Sequence, residues 1–122
     1  MFALFALLAI VSAKDFLINP GTQTSTVVEL GLCQNRGTTY STKQVKVHDN
    51  TMQSCTYYKP NCQGTEQCSE IIKLDEELGQ YISSELPEFV FMSRSYQSGD
   101  CLEGTEDALF NIYNEGCHKK EE

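Results

Sequence analysis

CQGTEQCSEIIKL (Cys62–Leu74) and CLEGTEDALFNIY (Cys101–Tyr113) follow the same plan. Each runs from a cysteine through Gly-Thr-Glu and a few polar or small residues to two apolar residues, one polar and one apolar. Glycine and its polar neighbours punctuate the chain, because a turn needs special backbone angles or local side-chain hydrogen bonds. The β-branched and aromatic residues that follow suit a pleated, half-buried strand. The phrase is therefore read as a turn followed by a strand.

A third copy stands near residue 21: Gly21-Thr22-Gln23, then Val27-Val28-Glu29-Leu30, then Gly31-Leu32-Cys33. The segments before the turns also correspond, with Val45-Lys46-Val47 matching Phe89-Val90-Phe91. Spacings of roughly 40 residues fall in the range of supersecondary repeats. Strands are expected at 26–32, 43–48, 53–59, 70–75, 88–93, 94–98 and 108–113. No long crossover helix separates them, so they should pair antiparallel. The fold expected is all-β, a small disulfide-stapled antiparallel sandwich or barrel of about seven strands with internal repeats. One stretch competes: Leu74, Leu78, Ile82 and Leu86 recur at four-residue spacing, as on a helix ending before Pro87.

The chain opens MFALFALLAIVSA, an apolar run with small residues, Val11 and Ala13, placed for signal-peptidase cleavage before Lys14. Residues 1–13 are expected to be a signal peptide, 14–117 a single β-domain and 118–122 a charged tail. No other stretch approaches the ~20 apolar residues that a membrane-spanning helix needs. The expectation is thus a secreted, extracellular and monomeric protein, or one in the lumen of the secretory pathway. Its net charge is −8, unevenly placed. Through Cys62 there are five basic and three acidic residues; beyond it there are four basic and fourteen acidic. This argues against nucleic acid and anionic membranes, both of which select clustered Lys and Arg.

Six cysteines, Cys33, Cys55, Cys62, Cys68, Cys101 and Cys117, follow the leader. In an oxidising compartment an even set reads as three disulfides. Cys101 with Cys117 would close the last hairpin. The other four can pair as Cys33–Cys55 with Cys62–Cys68, or as Cys33–Cys62 with Cys55–Cys68, and sequence proximity favours the first.

Catalytic signatures are absent from the sequence. The two histidines, His48 and His118, stand in no metal-binding or hydrolase motif, and no phosphate-cradling glycine loop occurs. Asp75-Glu76-Glu77 and the Asp100–Asp107 acidic group lack the ligand spacing of a calcium loop. No cofactor and no enzymatic activity are therefore expected. The expectation is a secreted binding module for a protein or glycan ligand, contacting it through the Gln34–Thr42 loop and the Asp100–Asp107 turn, since loops on rigid scaffolds carry recognition. A secreted protease inhibitor is the alternative, and a small hydrolase using His48 a further one.

Overall fold

Lys14, the first of the residues 14–114 that the computed structural model describes, leads directly into a strand. Ten strands follow: β1 Asp15–Asn19, β2 Thr24–Leu30, β3 Cys33–Arg36, β4 Tyr40–His48, β5 Thr51–Tyr57, β6 Glu66–Cys68, β7 Ile72–Lys73, β8 Tyr81–Ser83, β9 Phe91–Tyr96 and β10 Glu106–Tyr113. A short 3-10 turn, Pro60–Cys62, interrupts them. The expected leader 1–13 and tail 118–122, with His118, lie outside the described residues. No helix among the described residues is long and apolar enough to cross a membrane.

The protein is all-β. One antiparallel sheet has the order β8-β1-β2-β10-β9; the second runs β3-β4-β5-β6, with β7 also pairing to β5. The arrangement is a sandwich. Chain reversal at Gly31, whose positive φ of 83° suits a residue without Cβ, carries the backbone from β2 in the first sheet to β3 in the second.

Two apolar clusters explain the layering. Leu17 and Leu30 of the first sheet meet Met52 of β5 and Leu74, with Val28 and Ile82 against them, and this seam joins the sheets. Phe16, Ile18, Val27, Phe110 and Ile112 occupy the opposite face of the first sheet, where Leu86 packs on them. Phe16 and Phe110 meet edge to face. Successive residues of a strand point to opposite faces, so β1 buries Phe16 and Ile18 on one side and Leu17 on the other. Its unbroken apolar core, Phe16-Leu17-Ile18, follows from that double burial.

Several boundaries differ from expectation. The expected strands at 88–93 and 94–98 are one strand, β9, and the expected 70–75 contracts to the two residues of β7. β1, β3, β6 and β8 lie outside the expected strands. The four-residue leucine spacing makes no helix: Leu74 is buried while Leu78 is 70% exposed, and Gly79 takes a positive φ. The three copies of the repeated phrase are not in equivalent places. β2 and β10 are neighbours, with Val28 opposite Leu109 and Val27 opposite Phe110. The middle copy yields the two short strands β6 and β7, both paired to β5 in the other sheet.

Candidate functional site

Four of the six cysteines are joined among the described residues, as Cys33–Cys62 (S–S 2.06 Å) and Cys55–Cys68 (S–S 2.03 Å). The favoured Cys33–Cys55 with Cys62–Cys68 arrangement is therefore corrected. Register supplies the reason. Cys33 is opposite Lys43 and Lys43 is opposite Cys55, so Cys33 and Cys55 sit two strands apart. That separation is roughly 9.6 Å, twice the interstrand spacing, and a disulfide needs Cα atoms within about 7 Å. Cys55 instead faces Cys68 directly across the β5–β6 ladder.

Cys62 reaches Cys33 because the chain after β5 folds back over β4. Ser41, fully buried, organises that return: its hydroxyl donates to the Lys59 carbonyl at 2.6 Å and accepts from the Cys62 N–H at 2.8 Å. Asn35 and Asn61 exchange two further hydrogen bonds over the same edge. Cys101 is exposed and makes no disulfide with any described residue; its expected partner, Cys117, lies outside the described residues. Cys55, Glu66 and Cys68 are close enough to suggest a metal site, but both sulfurs are committed to their disulfide. Glu66 accepts a hydrogen bond from the Tyr57 hydroxyl. That bond, then burial, then the Glu66 charge raise the Tyr57 phenol above its ordinary value.

The expected recognition loops are built differently. Gln34–Thr42 is largely β3 and the start of β4 around a short turn, because Gln34 faces Thr42 and Asn35 faces Ser41 in a tight hairpin. The Asp100–Asp107 segment leads through a turn into β10, and Glu106 accepts hydrogen bonds from the Gly104 N–H. The hydrogen bond from its own backbone N–H, and then that from Gly104, hold the Glu106 carboxyl below its usual value. Asp75 and Glu76 likewise serve turns, accepting from Leu78 N–H and Asn50 Nδ2. His48 is exposed at the β4–β5 turn, where its backbone N–H donates to Thr51.

A cleft of about 700 Å³ lies between the two sheets. The Leu17–Leu30–Met52–Leu74 seam closes one flank. At the other flank Gln34 spans from sheet to sheet: its Nε2 donates to the Glu106 carbonyl at 3.1 Å and its Oε1 accepts from Ala108 N–H at 2.8 Å. Between these ties the sheets part. One wall carries Thr26, Val28, Leu109, Asn111, Ser93 and Ser95 of β2, β10 and β9; the other carries Arg36, Thr42, Gln44 and Met52. Leu109 is 58% exposed, so the apolar part of the wall opens to solvent. Arg36 Nε donates to Thr42 Oγ1 at 3.2 Å. Phe91 of β9 stacks on its register partner Tyr113 of β10, with ring centroids 4.2 Å apart and planes 8° from parallel.

Sequence reasoning located β2 and β10 but not the cleft, because Gln34 reaches Glu106 and Ala108 across 72 and 74 residues of chain. No motif marks such a contact. The fold and cleft together define a disulfide-stapled β-sandwich with a mixed polar and apolar opening between its sheets. No family model, curated protein or solved structure matches the chain.

Proposed function

We propose that the protein is a secreted, monomeric recognition module that acts by binding a protein or glycan, its ligand seated in the cleft between the sheets. The observation that carries this reading is the cleft itself. Its volume falls within the several-hundred-Å³ range of ligand sites, and its walls mix apolar surface with hydroxyl and amide groups. Two disulfides and a buried seam hold the walls, so little ordering cost accompanies binding. The disulfides tie strand to strand or to the 3-10 turn rather than propping up a projecting loop, which favours binding over protease inhibition. His48 lies outside the cleft lining, which weighs against the hydrolase reading.

Amide-resolved NMR of the secreted protein against a chemically diverse fragment library tests the proposal. Fragments should collect in the cleft and shift the amides of Val28, Thr42 and Leu109. A library that shifts none of these would remove the reading.

A further inference from the structure

The two sheets present four main edges, and their protection is unequal. β8 and β6 are three residues long. β3 is covered by the 3-10 turn, through Cys33–Cys62 and the Asn35–Asn61 hydrogen bonds. β9 has six residues, FMSRSY, and no described strand pairs with its outer side. An edge of this length exposes backbone N–H and C=O groups that another strand can pair with, and proteins usually block it with a charge, a proline or a covering segment. β9 has no proline. Its single charge, Arg94, is turned onto the sheet, where Nη2 meets Glu29 at 3.2 Å and the guanidinium lies over the Phe110 ring.

Which peptide groups face outward follows from the neighbouring ladder. Asn114 N–H bonds to Gln23 on the β2 side, while the Tyr113 carbonyl accepts from Val90 on the β9 side. Alternation then directs Asn111 toward its partner Ser93, and leaves the peptide groups of Met92 and Arg94 pointing away from β10. Exposed apolar side chains flank this row: Val90 at 65%, Phe91 at 48% and Met92 at 36%. Ser93 and Ser95 carry the same strand into the cleft wall.

We propose that the outer edge of β9 receives an extended polypeptide segment of a partner protein, which joins the first sheet as a sixth strand and lays alternate side chains toward the cleft. The inference rests on the binding reading above and assigns its ligand to polypeptide. Outward peptide groups select another extended backbone, and the adjoining cleft selects side chains at every second position. Charge decides between a partner and a second copy. Exposed Glu88 precedes β9, and exposed Asp100 and Glu103 follow it. Antiparallel self-pairing would bring Glu88 of one copy toward the end of β9 that carries the acidic Asp100–Glu103 turn in the other, whereas a segment with Lys or Arg at its ends meets complementary charge.

The test uses the full secreted chain and a displayed library of random twelve-residue peptides. Enriched peptides should lack proline, alternate apolar residues, carry basic ends and slow hydrogen exchange at the Met92 and Arg94 amides. Met92→Pro, which removes an outward N–H, should abolish their binding. Met92→Lys, which adds an edge charge facing away from the cleft, should weaken it at least tenfold, so the test survives misfolding of the proline variant. Both variants should keep fragment shifts at Val28 and Thr42 if folded. Peptides that shift only the cleft amides and are indifferent to Met92→Lys overturn the β9 assignment while the cleft reading stands. Failure to enrich any peptide likewise overturns it. A concentration-dependent dimer protecting Met92 and Arg94 overturns the partner assignment in favour of a second copy. If neither peptides nor fragments shift any amide, both readings fall.

Discussion

Ser41 shows how one small residue can hold a return of the chain. Its hydroxyl satisfies both the Lys59 carbonyl and the Cys62 N–H inside the protein. Ser41→Ala leaves both groups unpaired, and the expected loss is about 1–3 kcal/mol, read by urea unfolding. Glycine residues of the repeated phrase have unlike tasks. A Cβ at Gly21 would overlap the Thr24 carbonyl, whereas Gly104 has open space around it but a φ of 90°. Alanine is therefore excluded from the first by contact and disfavoured at the second by backbone conformation. Titration adds a further check. The Glu106 carboxyl is depressed below 4.5 by its backbone hydrogen bonds; its contribution is therefore complete above pH 4.5 and lost as pH falls through the folded value. Wild type and Glu106→Gln should differ by a constant amount in unfolding free energy near neutrality and converge in acid. For Tyr57 the shift is upward from 10.0, so its contribution is complete below pH 10.0 and is lost as pH rises from there through the raised folded value. Ultraviolet difference titration should find a tyrosine ionising above pH 10.0, and Glu66→Gln should lower its midpoint.

Elements owe their stability to different kinds of tie. β6 has three exposed residues and is held by Cys55–Cys68, the Tyr57–Glu66 hydrogen bond and a short ladder to β5. β3 is tied by Cys33–Cys62 and by its hairpin with β4. Closing loops of 13 and 29 residues contributes about 3 kcal/mol each in the chain-entropy picture. Replacing Cys55 and Cys68 together by alanine should lower the melting temperature by roughly 12–24 °C, taking about 4–8 °C per kcal/mol for a domain of this size. Hydrogen exchange should quicken in β6 before it quickens in β2 or β10, since the latter belong to the buried cluster of Phe16, Ile18, Val27, Phe110 and Ile112. Equal loss of protection in all three would show that the disulfide supports the whole sandwich rather than one strand.

For the whole molecule, the relation of the sheets decides whether a cleft exists. Met52 is the β5 residue in the seam with Leu17 and Leu30, so Met52→Ala should cost about 2–5 kcal/mol and loosen the cleft without touching either disulfide. Gln34 acts at the other flank. Gln34→Leu keeps the size but leaves the Ala108 N–H and Glu106 carbonyl without their partner; fragments that bind the wild-type cleft should lose affinity or shift different amides. Unchanged binding in both variants would place the ligand elsewhere.

Composition, turn residues and β-branched runs were enough to indicate an all-β chain, because strand propensity and turn chemistry are local. They also placed β2, β4, β5 and β10 to within a few residues. Strands with non-alternating or polar sequences escaped: β1 is buried on both faces, and the short β3 and β6 are stabilised by disulfides and hairpin pairing more than by their own side chains. The cysteine set was visible, but proximity along the chain suggested the wrong partners, since β4 intervenes between Cys33 and Cys55 and the fold-back at Ser41 delivers Cys62. The cleft, and the place of β9 at the end of its sheet among the described strands, were likewise beyond reading from residues alone. A local pattern dictates which segments extend, whereas strand order, the 72-residue reach of Gln34 and the edge that no described strand pairs with are set only when distant segments compete to bury the same apolar faces.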